Sequence, residues 1–285
     1  MTPTSDILLV EAHEVAPAGI QAVQVPVPVE RALLIQLNGR PVASLLSLPG
    51  MERELAIGFC LSEGLVASSG DILLAQYCRD EELLALDNVQ GAVVRLQVRP
   101  EGVRESLQSM RRVRSGCGSV ELNLESLELP PLSLEGTPHF APAAILTMAR
   151  ALRGMAGTYR RSGGVHSAGL FAPDGTAHFL AEDIGRHNAM DKVLGAAAIR
   201  GLPLAQMAIL ATGRASHEFV AKALRLRIPL VGTLSAPTSL AIELATQGHC
   251  TIVGRLRRER FVVYTCPERI AAPHPACGSG PAVVQ

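Results

Sequence analysis

Three times in its second half the chain passes from an aliphatic run, through a short loop of small and polar residues, into a helical pattern. This rhythm constrains the fold more than any other feature. The junctions are AEDIGRHN at 181–188, TGRASHE at 212–218 and SAPTS at 235–239. The runs MAILAT, IPLVGTLS and CTIVGRL are strand-like, and helical patterns are predicted over 187–199, 215–226 and 237–247. Strands that alternate with helices build a sheet whose faces the helices cover. Upstream, 142–155 reads as a helix with Pro142 tolerated in its first turn. GVHSAGLFAPDGTAHFLAED reads as a hairpin turning at Pro173-Asp174-Gly175. A layered α/β domain is therefore expected over 141–270. No internal repeat is evident from the residues.

The first half has a different grain. Asn38-Gly39 separates two strand-like runs within 31–47, a strong hairpin signal. A helix is predicted over 51–63, with Leu55, Phe59, Ile57 and Leu61 on its apolar face and Gly64 to stop it. GAVVRLQV at 91–98 reads as a strand, and EGVRESLQSMRRV at 101–113 as a basic amphipathic helix. These elements make a smaller α+β domain over 31–113, after an N-terminal extension at 1–30. A cysteine-bearing loop and linker at 114–140 would join the two domains, and a Pro, Gly and Ala-rich tail at 271–285 is expected to be mobile.

Lys plus Arg number 26 and Asp plus Glu number 26, so no net field draws the molecule to nucleic acid or to an anionic membrane. Any anion site must be local. The first thirty residues carry Asp6, Glu11 and Glu14 and do not resemble a leader, and no apolar run approaches the roughly 20 residues that span a bilayer. A cytoplasmic protein with reduced thiols is expected from six irregularly spaced cysteines. No CxxC pair or zinc-ligand spacing occurs. His217-Glu218 lacks the PCxxC that a zinc deaminase would need.

In α/β sheets, ligands bind beyond the carboxyl ends of strands, where helix N-termini offer free N–H groups to anions. Gly185 and Gly213 would allow close backbone approach, and Arg186 and Arg214 would supply forked donors for phosphate. Ser216 and Ser235 lie in the same loops. His166 and His187 suit acid–base or hydrogen-bonding work, or a purely structural role. Asp183 suits a ribose or base edge, or a helix cap. RLRRER at 255–260 places four arginines between two strand-like runs, which predicts a hairpin with a cationic tip. Cys117 sits in RSGCGS after Arg111, Arg112 and Arg114, where small neighbours and nearby cations favour an accessible thiolate. Cys60 and Cys250 fall in apolar patterns and read as structural.

With these residues in view, the sequence resembles the FdhD/NarQ family of formate dehydrogenase accessory sulfurtransferases. The resemblance runs through GFCLSEGL, RSGCG, GGVHSAGL, EDIGRHNAMDKVLG, TGRASHEFVAKA, SAPTSLAIELA and VGRLRRERFVVYT. It implies a sulfurtransferase in which a cysteine desulfurase passes persulfide sulfur to Cys117. From there the sulfur goes to the bis(molybdopterin guanine dinucleotide) form of the molybdenum cofactor, before insertion into formate dehydrogenase. It further implies cofactor binding by Arg255, Leu256, Arg257, Arg258, Glu259 and Arg260, a second domain of cytidine-deaminase-like fold without the zinc site, and a homodimer. The family commonly shows CGxCG at the loop, where this chain reads CGSVE with Val120 in place of the second cysteine. The alternative function is a chaperone that binds the cofactor without transferring sulfur.

Overall fold

The computed structural model describes residues 6–78, 91–103, 111–113, 130–155 and 157–271. Two larger sheets and a separate two-stranded hairpin carry the chain. The first larger sheet runs in the order β5 (Ile72–Cys78), β6 (Gly91–Val98), β3 (Arg31–Leu37), β4 (Arg40–Ser47) and β7 (Arg111–Val113), and the second in the order β13 (Val262–Val263), β12 (Thr251–Gly254), β11 (Leu230–Thr233), β10 (Ala208–Ala211), β8 (His166–Phe171) and β9 (Ala177–Asp183). Strands β3 (Arg31–Leu37) and β4 (Arg40–Ser47) form the expected hairpin. Asn38 and Gly39 both have positive φ, 48° and 79°, as a tight two-residue turn between twisted strands demands. β6 (Gly91–Val98) pairs parallel with β3, and β5 (Ile72–Cys78) flanks it. No period-two pattern marks β5, whose ILLAQYC is apolar on both faces.

The segment expected as a helix over 101–113 does not form one at either end. Pro100–Gly102 makes a single 3-10 turn, and β7 (Arg111–Val113) pairs parallel with β4. Residues between them lie outside the described set. Pairing at an open sheet edge here overrides a helical side-chain pattern, since edge N–H and C=O groups seek a strand. The N-terminal extension also has structure: β1 (Ile7–Ala16) and β2 (Gly19–Pro28) pair over ten registered positions. The tail expected to be mobile lies outside the described residues beyond Ala271.

In the second sheet, β8 (His166–Phe171) and β9 (Ala177–Asp183) form the hairpin turning at Pro173-Asp174-Gly175, with Gly175 at φ 93°. β10 (Ala208–Ala211), β11 (Leu230–Thr233) and β12 (Thr251–Gly254) run parallel, and β13 (Val262–Val263) returns against β12. The helices are α1 (Glu52–Ser62), α2 (Pro142–Met155), α3 (Gly157–Ser162), α4 (Arg186–Ile199), α5 (His217–Arg225) and α6 (Ser239–Gln247). Alternate strand residues feed two cores. Leu170, Ile209, Val231 and Ile252 pack with α4, α5 and α6, whereas Phe171, Leu210, Leu230 and Val253 pack with α2.

The residues gave no sign of a repeat, but the backbone contains one. Ala208 matches Leu230 and His217 matches Ser239, a constant offset of 22 residues covering strand, loop and helix. The two loops are joined by a bridge between Ala215 and Pro237, and each helix is followed by a non-glycine residue at positive φ, Arg227 at 61° and His249 at 53°. The loops TGRAS and SAPT share almost no side chains, so the repeat is a property of chain path.

Helix α4 joins the two halves. Its residues from Asn188 to Ala197 are buried on every side, because one face covers β8 and β9 while the other receives α1. The two helices cross at Gly58 and Gly195. A Cβ on Gly58 would stand 1.8 Å from the Asp191 carbonyl oxygen, and one on Gly195 would stand 1.9 Å from that of Glu54. Beside the crossing, the Lys222 ammonium lies 2.6 Å from Asp191 Oδ2 and 3.0 Å from Glu63 Oε1, and it donates to Ser62 Oγ at 3.0 Å. Among the described residues no helix is long and apolar enough to cross a membrane.

Candidate functional site at the strand ends

β9 is antiparallel to β8, and β8 is antiparallel to β10, so β9, β10, β11 and β12 all point the same way. Their carboxyl ends therefore lie along one edge of the sheet. The loops at 184–185, 212–216, 234–238 and 255–261 leave from that edge, and His166 enters there at the start of β8. The three loops singled out in the sequence and the arginine-rich turn are neighbours for this topological reason.

Hydrogen bonds connect them in series. Thr233 Oγ1 donates to the Gly213 carbonyl at 2.6 Å, the Ser235 N–H donates to Thr233 Oγ1 at 3.0 Å, and the Arg255 N–H donates to the Ser235 carbonyl at 2.6 Å. Helices α4, α5 and α6 begin at Gly185, Ser216 and Thr238, none of which caps its helix through a side chain. Their first N–H groups keep capacity for an anion.

The centre of the site is where Arg186 crosses Gly213. A Cβ on Gly213 would meet Arg186 Cδ at 2.9 Å and His166 Nδ1 at 3.3 Å, so only glycine allows these groups to converge. Arg186 Nε is buried and has no hydrogen-bond partner among the described residues. A buried, unsatisfied guanidinium nitrogen is costly unless something accepts from it. His166 Nδ1 lies 3.4 Å from Thr212 Oγ1. Burial, and then Arg186, push the His166 pKa down, while Asp183 opposes them. His187 Nε2 lies 3.3 Å from Ser216 Oγ and 3.6 Å from Glu218 Oε2. Burial, followed by Lys222, Arg186 and His166, holds the His187 pKa well below the ordinary range. Both rings thus favour the neutral form at pH 7. They suit a hydrogen-bonding role beside cations that supply the charge.

Two of the predicted binding residues have another occupation. Asp183 is fully buried and its carboxylate is saturated. Oδ1 accepts from the Gly185 N–H and from Asn188 Nδ2, both at 3.0 Å, and Oδ2 accepts from the Leu48 N–H at 3.1 Å and pairs with Lys192 Nζ at 2.8 Å. It presents no open acceptor to a ligand, and its work is to fix the α4 turn against the end of β4. The Leu256 side chain is also fully buried, packed in the core under α2. Around it Arg255, Arg257, Arg258, Glu259 and Arg260 are exposed. The Arg257 N–H donates to the Arg260 carbonyl at 2.8 Å, closing the turn, and Arg214 is exposed in the loop after β10.

Sequence reasoning missed the links from this edge to the first sheet. Asn188 Nδ2 donates to the Leu46 carbonyl at 2.8 Å and Lys192 Nζ to the Leu48 carbonyl at 2.9 Å. β4 is therefore pinned beside the Gly185 turn. β7 runs parallel to β4 with Val113 opposite Leu45. Cys117 lies outside the described residues. Among the described cysteines, Cys60 and Cys250 are buried, and burial pushes the Cys250 thiol up to about 12. Among the described residues, no three His, Cys, Asp or Glu side chains cluster as metal ligands would.

Comparison with known proteins gives a consistent relationship. The model of the FdhD/NarQ family matches residues 28–271. The chain is 35% identical over 258 residues to the sulfur carrier protein FdhD of Nocardia farcinica, covering 89% of this chain and 91% of that one. It is 38% identical over 250 residues to the sulfur carrier protein FdhD of Mycobacterium tuberculosis, covering 85% and 90%. The crystal structure of a formate dehydrogenase accessory protein from Desulfotalea psychrophila superimposes with a TM-score of 0.76 at 26% identity, covering 94% of this chain and all of that one. By full-length likeness in both sequence and fold, this chain belongs to the FdhD/NarQ family.

Proposed function

We propose that this protein carries sulfur as a persulfide on Cys117 and delivers it to a nucleotide-bearing molybdenum cofactor at the strand-end site, in the cytoplasm and in the service of formate dehydrogenase. The observation that supports the reading is the parallel pairing of Arg111–Val113 with β4, the strand whose Leu46 carbonyl accepts from Asn188 beside the Gly185 turn. Loading needs only one thiol. The Cys117 thiolate attacks the terminal sulfur of a desulfurase persulfide, a new S–S bond forms, and the donor cysteine leaves as its thiolate. The client is bis(molybdopterin guanine dinucleotide), whose phosphates suit Arg186, Arg214, the exposed arginines of 255–260 and the three uncapped helix starts. The layering of the second sheet is read as cytidine-deaminase-like, with a phosphate-binding edge where a deaminase would keep its metal.

Incubation with a cysteine desulfurase and cysteine is expected to add about 32 Da, one sulfur atom, to the wild-type chain and nothing to Cys117→Ala. An increment that persists in Cys117→Ala overturns the assignment. Gly213→Ala drives a methyl group into Arg186 and His166, so GDP, used as a probe of the nucleotide half, is expected to bind about ten-fold more weakly. The melting temperature should stay within a few degrees, and unchanged GDP affinity by calorimetry would remove Gly213 from the site. Val120, standing where relatives commonly have a second cysteine, favours one other reading: a chaperone that holds the cofactor without passing sulfur. In that case Cys117→Ala would activate the dehydrogenase as well as wild type does.

A further inference from the structure

Two side-chain nitrogens at the strand ends have no hydrogen-bond partner among the described residues, Arg186 Nε and His166 Nε2. The first is a fixed donor and calls for an anion. What the second offers depends on Nδ1 of the same ring. Thr212 Oγ1 accepts from the Ser167 N–H at 3.0 Å, and the Ser167 carbonyl lies 3.4 Å away to take its proton. Its remaining lone pair faces His166 Nδ1, also at 3.4 Å. This pattern assigns Nδ1 as the donor in neutral His166 and leaves Nε2 as a lone pair, since a neutral imidazole has one N–H. A lone pair set beside a phosphate oxygen repels it.

The charges around the ring act in the same direction. Arg186, at the start of α4, meets His166 at Gly213, where an added Cβ would lie 2.9 Å from Arg186 Cδ and 3.3 Å from His166 Nδ1. Asp183 stands opposite His166 across the β8–β9 ladder, with its carboxylate paired to Lys192 at 2.8 Å. On the α5 side His187 intervenes, with Glu218 3.6 Å from its Nε2 and the Lys222 charge acting on it from behind. Arg214 is exposed in the loop after β10. Burial and then Arg186 keep His166 neutral in the free protein, and Asp183 does not reverse them. An anion that accepts from Arg186 offsets the guanidinium charge and adds an attraction of its own, and both effects favour the imidazolium. His187 is placed differently: its ring lies 6.2 Å from that of Phe219, and its Nε2 already faces Ser216 and Glu218.

We propose that nucleotide binding at this edge takes up one proton from solvent, which settles on His166 Nε2 and turns a lone pair that repels phosphate into a donor that holds it. No other bond is made or broken. The inference rests on the strand-end loops being the nucleotide site, as proposed above. By linkage, the client is held more tightly as pH falls and released more easily as pH rises.

GDP-mannose serves as the probe, because both of its phosphates are esterified and neither titrates near neutral pH. Calorimetry on the full chain, in buffers of different ionisation enthalpy, is expected to show about one proton taken up per GDP-mannose near neutral pH, with affinity about ten-fold higher at about pH 6 than at about pH 8. His166→Gln, which keeps a donor but does not titrate, should bind without proton uptake and with the same affinity across that range. His187→Gln should keep the uptake. Wild-type binding without proton uptake overturns the proposal and leaves the nucleotide site standing, whereas no binding at any pH overturns both. Uptake that survives in His166→Gln, or that is lost in His187→Gln, overturns the assignment to His166. Nuclear magnetic resonance of the wild type gives a reading that needs no variant: the His166 ring should pass from neutral to charged on saturation with GDP-mannose, and a ring that stays neutral overturns the proposal.

Discussion

Gly195→Ala is expected to prevent the two halves of the molecule from closing. The Glu54 carbonyl oxygen stands 1.9 Å from the position of the new methyl group, and the Gly58 amide nitrogen stands 2.8 Å from it. Both are helix backbone, so no rotamer change relieves the clash, and α1 must lift off α4. That exposes the apolar faces of both helices, including Leu55, Phe59, Met190 and Leu194. Overpacking that forces backbone apart costs more than the usual 1–3 kcal/mol, and a loss of about 4 kcal/mol or more is expected. The gain in helix propensity of roughly 1 kcal/mol does not offset it. Gly58→Ala should behave the same way, because its methyl would lie 1.8 Å from the Asp191 carbonyl oxygen. Thermal unfolding checks both: a melting temperature within about 2 °C of wild type would mean that the helices do not cross this closely.

Lys222→Met is expected to be the next most damaging change. The lysine side chain is 6% exposed and sits between Asp191, Glu63 and Ser62, with the Phe59 ring 5.2 Å away. Removing it leaves the Asp191 carboxylate, 1% exposed, with only the Ser62 hydroxyl among its observed partners. Breaking a buried pair from one side costs about 3–5 kcal/mol. Asp191→Asn combined with Lys222→Met should cost clearly less than the sum of the two single changes, and additivity in that double-mutant cycle would contradict the coupling. Burial by itself would lower the Lys222 pKa, but Asp191 and Glu63 outweigh it and raise the value. With the folded value raised, the contribution is complete below the unfolded lysine value of about 10.4 and is lost as pH rises through the folded value. The lysine itself should therefore add no slope to stability between about pH 6 and 9.

These two contacts mark where sequence reading stopped. The Asn38-Gly39 and Pro173-Asp174-Gly175 hairpins, the helix at 142–155 and the strand at 91–98 were legible because each is set by its own residues: positive φ in a turn, or a local apolar period. Helix 101–113 was misread and β5 went unseen, because an edge strand is decided by the neighbour that pairs with it. The hairpin of residues 7–28 was not distinguished within the N-terminal extension, because its exposed aliphatic residues have no core to mark a face. Of the candidate site, Gly213, Arg186 and His166 were recognisable as loop residues with suitable chemistry. That Arg186 lies across Gly213, and that Asp183 turns inward to Lys192 and Leu48, depends on contacts between distant segments.

By itself the sequence determined the hairpins at Asn38-Gly39 and Pro173-Asp174-Gly175, the helix at 142–155, the recurrence of strand, loop and helix, the cationic turn at 255–260 and the family. Each follows from local backbone preference or from residue order. Only the tertiary structure decided that β9, β10, β11 and β12 end on one edge, that glycines at 58 and 195 let two helices touch, and that the end of β4 is pinned beside the Gly185 turn. Strand direction and helix crossing are set by which distant surfaces bury each other, and no local pattern of residues encodes the identity of the surface on the other side.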